Sequence, residues 1–554
     1  MTATAEPLVS EPLVPDRPRW WELQLLWLRE PRARRVYEWL APLLVTILAG
    51  VLRLSDLGHP HALVFDETYY VKDAWTLLHL GYEGSWPAKS DDDFLAGDVD
   101  IFTTNPAFVV HPPLGKWIIA LGMMLLGPGS GWGWRLTTAL VGTAAVLLLI
   151  VVGRRLSGST TVGVVAGFLF AIDGLGIVMS RVALLDNSLM LLVLLAFYFV
   201  LLDRARTRDR ILEATLRRAQ GPGGRAQEPE GRSQGPEVAP ADEKPPPWGP
   251  VLWNRPWILA AGATLGAASA VKWSGLYALA GLGIYLVVSD ALARRRAGVG
   301  FWPTDAVFRQ GPVTFLLLVP IAFAVYLASW TGWLVTDGGY SRHAADDSPA
   351  QGFWSWVPLS LQSLWRFHQA IYNFHVGLTS PHAYESPAWS WPLLTRPTWM
   401  YWDLTPQGTD GCTSAGGCAQ SISSVPNPLI WFAAVAAVLW ILYRFAVTRD
   451  WRYGFILTGV AITYVPWLLY PERTIFQFYT IAILPFMLLA LAFALREIAG
   501  VPGSPPERTQ TGRWVVVVFL GMVVLVSAFF YPVWIGWEVP YDFWRLHNWM
   551  PSWV

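Results

Sequence analysis

The chain has 554 residues, 53% of them hydrophobic and only 14% charged, with 40 basic and 40 acidic side chains. Ordinary soluble domains carry about 25% charged residues, so a water-soluble globular protein is excluded, and a net charge of zero gives no reason to expect a nucleic-acid partner. The apolar residues cluster in long runs, which predicts an integral membrane protein whose spans are helices, because lipid leaves open backbone groups unsatisfied.

In chain order, residues 1–36 are expected to form a cytoplasmic N-terminal segment. It is too long, and too rich in acids and prolines, for a cleavable leader. Its stretch 19–28 (RWWELQLLWL) suits an interfacial position with tryptophans at headgroup depth. Arg32, Arg34 and Arg35 then precede a first span at 38–56. An outer loop, 57–133, leads to spans at 134–152, 160–179 and 184–202. Segment 204–255 is rich in Gly, Pro, Arg and Glu and reads as a disordered cytoplasmic linker. Spans at 256–271, 275–290 and 312–330 follow, then a second outer loop, 331–426. The last four spans are expected at 427–444, 453–470, 475–495 and 513–532, with an exoplasmic tail over 535–554.

Segment 116–126 is apolar but short, and charge decides its place. If it does not cross, Arg154–Arg155, the 204–255 linker, Arg294–Arg296, Arg444–Arg452 and Arg496–Arg513 all fall on the cytoplasmic side. If it crosses, all of them move outside. It is therefore assigned as a helix along the outer surface, which leaves about eleven spans in an all-α polytopic fold. The 33 tryptophans read first as interfacial belts and second as sugar-stacking groups.

This topology gathers charge at the outer face. Asp66–Glu67 lies in VFDETYY, and His111 and Lys116 lie in HPPLGK. Prolines at a helix start and a lysine one turn in make a berth for a phosphate, since helix N-termini attract anions; capping and snorkelling are the plainer alternatives. Arg53, Arg135, Arg181, Asp186, Lys272, Glu472 and Arg473 also fall at outer span ends. Ionisable groups at such depth are functional candidates unless they pair with one another, as Arg181 and Asp186 could.

FDETYY followed by HPPLGK resembles the first luminal loop of the protein O-mannosyltransferases, which take mannose from a dolichyl or polyprenyl phosphate. SRVALLDNSLM, AVKWSGLY, SPHAYESPAWSWPL and PERTIFQFY resemble further family segments in the family order. The resemblance implies a GT-C fold over 37–534, with an active site at the outer face of the plasma membrane. It implies inverting transfer of mannose from polyprenyl-phosphate mannose to Ser or Thr hydroxyls of exported proteins, in the EC 2.4.1 class, with acceptors emerging from the secretion translocon. Asp66 matches the family's catalytic acid, and Glu67, Arg53 and Arg135 match positions important in the family. Loop 331–426 has no room for the soluble insert of eukaryotic members, so the chain resembles the bacterial type.

The chemistry agrees. A hydroxyl nucleophile needs a base, and a phosphate leaves as a stable anion without an acid, so one carboxylate facing a group of cations suffices. Asp66 is assigned as base, with Glu67, His382 and Glu385 positioning the acceptor. Lys116, Arg135, His111 and Arg473 are assigned to the donor phosphate, and Arg53, Arg181 and Asp186 to support. No metal is required; Asp91–Asp92–Asp93 reads as a solvated acidic loop. Cys412 and Cys418 are expected to form a disulfide, with free thiols as the alternative. Other readings are a GT-C transferase acting on a lipid or cell-wall glycan, and a transporter; the WWD string of oligosaccharide-transferring enzymes is missing, since Tyr401–Leu404 does not match it.

Overall fold

In the computed structural model, residues 30–219, 247–500 and 504–554 are described; the interfacial stretch 19–28 lies outside them. Proline opens many of the helices, where its missing N–H costs nothing. The first is α1 (Pro31–Leu54). The first outer loop holds α2 (Glu67–Leu80), α3 (Asp91–Ala96) and α4 (Leu114–Leu126). Then come α5 (Gly131–Ser157), α6 (Thr160–Ile172), α7 (Gly174–Arg181), α8 (Asp186–Ala219), α9 (Pro256–Val271), α10 (Ser274–Arg296) and α11 (Trp302–Ser329). The second outer loop contains α12 (Leu359–Gly377), β1 (Trp399–Thr405) and β2 (Cys418–Ser423). The chain ends with α13 (Pro428–Thr448), α14 (Trp451–Leu469), α15 (Leu484–Ile498), α16 (Pro506–Ile535) and β3 (Glu538–Pro540).

Every expected span has a helical counterpart. Among the described residues, eight helices are long and apolar enough to cross a membrane, or nine if α6 and α7, bent by 60°, count as one span. The bend falls at Asp173, whose side chain caps α7 by accepting from the Gly176 N–H and also accepts from the Asn427 N–H. α9 has 16 residues and α15 has 15, the latter preceded by a 3-10 turn at Gln477–Ala482. At 13 residues α4 is too short to span; it packs on α2 and α5 through Ile119, Ala120 and Met123, while Leu125 and Met124 stay exposed.

Two expectations are corrected. The linker does not begin at 204, because α8 continues to Ala219. Its far end is also ordered: Arg255 is buried between Asp203 at 2.5 Å and Asp290 at 2.6 Å, and Arg294 binds Asp305 at 2.7 Å. A composition of Arg and Glu signals disorder only while those charges lack buried partners, and here helices α8 and α10 supply them. The outer loops are also not purely helical. β1, β2 and β3 form an antiparallel sheet in that order, which folds the 535–554 tail back onto the second outer loop. Arg396 fixes that tail through the Ser552 and Val554 carbonyls, both at 2.7 Å. The Cys412–Cys418 disulfide is formed at the start of β2.

Candidate active site

The residue before the acid sets its direction. Phe65 has φ of 52°, a left-handed conformation that is strained for an aromatic residue. Its ring is clamped edge-on by Phe476 and Phe478, each 5.6 Å away, with His382 at 6.1 Å. This kink starts α2 at Asp66, whose carboxylate makes no capping bond to its own helix. Instead it accepts a hydrogen bond from Tyr70, one turn on. Burial pushes the Asp66 carboxyl up to about 6; the Lys272 charge opposes that rise, Asp186 adds to it and the Tyr70 bond opposes it. Burial also holds the Tyr70 hydroxyl well above its ordinary value, so it stays a donor.

The positive charge that reaches this acid is that of Lys272, and Arg473 stands further off beside His375. Lys272 occupies the break between α9 and α10, 2.8 Å from Asp186, with its ammonium 4.1 Å from the centre of the Tyr479 ring. Arg473 donates from Nε to the His375 carbonyl and from Nη2 to His375 Nδ1, both at 3.1 Å. His375 Nε2 donates to the Val110 carbonyl at 2.8 Å, so its tautomer is fixed by both neighbours. The His111 ring lies 5.3 Å from His375 and 6.1 Å from Tyr70, and its buried Nδ1 has no hydrogen-bond partner among the described residues. Burial, helped by Lys272 and other cations, drives His111 well below its ordinary value; burial and Arg473 bring His375 to about 4. Both rings are neutral at pH 7. A narrow cavity runs from Asp186, Tyr277 and Tyr479 along Leu189, Val193 and Ile462, between α8, α10 and α14.

Several assigned residues are engaged elsewhere. Glu67 is fully buried and takes two bonds from Arg135, at 2.9 and 2.8 Å, plus the Val64 and Ala183 N–H groups at 2.9 and 2.8 Å. No lone pair is left to position an acceptor. Arg135 gives its remaining donors to the Leu57, Pro60 and Ala62 carbonyls, which leaves none for a phosphate. Lys116 is buried between Glu83 and, at 3.9 Å, Asp73, so it too is internally neutralised. Arg181 does not pair with Asp186; it donates to the Arg53, Ser55 and Asp56 carbonyls and so fastens the end of α1. Arg53 bonds Ser180 and the Phe170 and Ala171 carbonyls.

Asp66, His111 and Arg473 are connected through Tyr70 and His375; His382 and Glu385 are exposed, and His382 lies 4.9 Å from the Phe476 ring. Asp91 is held by Lys72 at 2.5 Å. Lys272 stood out as an outer charge without a role, His375 was read only with loop 331–426 as part of an acceptor groove, and Tyr70 and Tyr479 were not singled out. The available signal was a lysine placed directly between two apolar helices in AVKWSG.

Two family models match the chain: the "C-terminal four TMM region of protein-O-mannosyltransferase" over residues 360–553 and "Dolichyl-phosphate-mannose-protein mannosyltransferase" over residues 110–212. A polyprenol-phosphate-mannose–protein mannosyltransferase of Mycolicibacterium smegmatis is 34% identical over 531 residues, covering 94% of this chain and 93% of the relative. The chain belongs to the protein O-mannosyltransferase family. It is a multi-pass membrane glycosyltransferase. A Mycobacterium tuberculosis mannosyltransferase of the same description is 33% identical over 532 residues, covering 94% of this chain and 92% of the relative. The fold matches that of the Saccharomyces cerevisiae protein O-mannosyltransferase Pmt1-Pmt2 complex bound to the sugar donor, with a TM-score of 0.65 at 15% identity over 96% of this chain and 94% of that one. That likeness establishes the GT-C arrangement of this mannosyltransferase.

Proposed function

We propose that this mannosyltransferase moves mannose from polyprenyl-phosphate mannose to a Ser or Thr hydroxyl of an exported protein, at the exoplasmic face of the plasma membrane. Asp66 is the base. As the acceptor oxygen bonds to the anomeric carbon, its proton passes to the Asp66 carboxylate. The bond from that carbon to the phosphate oxygen breaks, and the electron pair leaves with polyprenyl monophosphate. Attack from the face opposite the phosphate inverts the anomeric centre.

The observation that carries this reading is a partly buried carboxylate poised at about 6 beside Lys272. A base matched to neutral pH is what hydroxyl activation needs. Lys272 has one donor on Asp186 and two more to offer a phosphate. Arg473 and the unpaired His111 Nδ1 supply the other contacts. The cavity along Leu189, Val193 and Ile462 is apolar and suits the start of a polyprenyl chain. His382 and Glu385, exposed on the far side of Phe65, line the acceptor's approach.

The test uses full-length enzyme in nanodiscs with polyprenyl-phosphate mannose and a Ser/Thr peptide. Asp66→Asn should lose at least about a hundredfold in transfer, the scale of a general-base contribution, while donor binding persists. Transfer at close to the wild-type rate would remove Asp66 from the mechanism.

A further inference from the structure

A basic cavity lies away from the catalytic acid, at the arginine-rich end of the bundle between α8 and α10. Four arginines, Arg204, Arg208, Arg255 and Arg296, line it against two aspartates, Asp203 and Asp290. Both aspartates are already engaged by Arg255, which is buried between them. With four guanidinium groups against two carboxylates, the lining carries two positive charges in excess. Arg204 lies 4.2 Å over the Trp451 ring, donates to the Ser289 hydroxyl, and is close enough to Arg208 and Arg296 to be repelled by both. The carboxylate that Arg208 touches is Asp209, its exposed chain neighbour. Asp450 reaches Arg204 only through its field, because Arg452 holds it at 2.5 Å.

The position is as informative as the charge. The apolar run of α8 ends at Leu202, and the charges begin immediately after it at Asp203 and Arg204. Trp451, at the start of α14, marks the same level, since tryptophans favour the membrane–water boundary. Val200 and Leu286 form the apolar part of the wall, and the Tyr285 hydroxyl stands beside Arg204 and Ser289. Like charges held around a cavity at headgroup depth are relieved by an anion, and guanidinium forks match phosphate oxygens. We propose that this cavity binds a phosphate group, carried on the headgroup of an anionic lipid of the adjoining leaflet. The site is separate from the mannose-transfer chemistry and does not depend on it.

The test is native mass spectrometry of the full-length protein titrated with phosphatidylglycerol in a neutral detergent, with phosphatidylcholine and inorganic phosphate as parallel arms. The wild type should bind phosphatidylglycerol in preference to phosphatidylcholine. Each arginine removed should weaken that binding about fivefold, and the Arg204→Gln/Arg296→Gln pair roughly thirtyfold. Arg296→Gln alone, at an exposed side chain, covers the case in which the pair fails to fold. Arg295→Gln is the control: Arg295 is exposed, packs near Trp302 instead and does not line the cavity. Unchanged lipid affinity in Arg296→Gln, or an equal loss in Arg295→Gln, would overturn the site. Displacement of the lipid by millimolar inorganic phosphate would overturn the lipid source in favour of a free anion.

Discussion

Acidification should switch off transfer over a pH range fixed by the burial of Asp66. Its carboxyl is pushed from 3.8 up to about 6, so it is ~90% ionised at pH 7 and only ~10% at pH 5. The value of kcat/KM for peptide should fall about tenfold between those two pH values, whereas a solvated aspartate would lose almost nothing. The Tyr70 bond favours the ionised form. Tyr70→Phe removes it and should move the midpoint to roughly pH 7, since a hydrogen bond to a charged group contributes about 1.5 kcal/mol or more. Initial rates of mannosyl transfer in nanodiscs, measured from pH 5 to pH 8 at saturating donor, read both midpoints. A wild-type midpoint below pH 5, or one that Tyr70→Phe leaves unmoved, would refute the reasoning.

Three further outcomes follow from the same contacts. The folded state disfavours ionised Asp66, a penalty absent below pH 3.8 and complete above pH 6; Asp66→Asn should therefore be inactive yet more stable at pH 7.5, by up to about 3 kcal/mol, with the gain vanishing near pH 4. Equal apparent Tm values for the two proteins at pH 7.5 would contradict this. Arg135→Leu strands a buried Glu67 and should cost about 3–5 kcal/mol, seen as loss of folded protein in fluorescence-detected size exclusion; a well-folded variant with only a raised donor KM would restore Arg135 to the phosphate site. Arg473→Gln should raise the donor KM about 10- to 100-fold, the scale of a charged hydrogen bond, and leave the peptide KM in place; the reverse pattern would put Arg473 on the acceptor side.

The architecture was legible because lipid imposes one rule on every span, and composition alone reveals where that rule applies. Asp66 and Arg473 were legible as charges at span ends, and His111 as a ring at a helix mouth, all three candidates for the proposed site. Their neighbours were not, because a pairing partner carries no local mark. Glu67 and Arg135 are 68 positions apart, and Lys272 is 86 positions from Asp186. Arg181 and Asp186 sit five apart with opposite charge and look like a pair, yet Asp186 opens α8 and faces the break before α10, while Arg181 ends α7 and faces α1. Lys116 misled for the same reason. A lysine near a helix N-terminus invites an anion, and the anions it meets are Glu83 and Asp73 from its own loop.

Adjacent positions at the start of a helix point about 100° apart, and that offset explains how Asp-Glu divides its work. Glu67 turns inward and fastens α2 to Arg135 of α5 and to the Ala183 N–H beyond α7. Four bonds on one carboxylate hold the first turn of α2 rigid. Asp66, one residue earlier, is then aimed by a backbone that cannot relax, with Phe65 kinked behind it and Tyr70 closing the turn in front. A base must keep its reach to the acceptor proton while its charge comes and goes. If Asp66 carried the structural bonds, each protonation would loosen the helix that positions it. Giving those bonds to Glu67, a fully buried carboxylate already saturated by donors, separates holding from reacting. Exchange of the two residues, Asp66→Glu with Glu67→Asp, keeps the charge and the composition, yet it should destroy both functions at once.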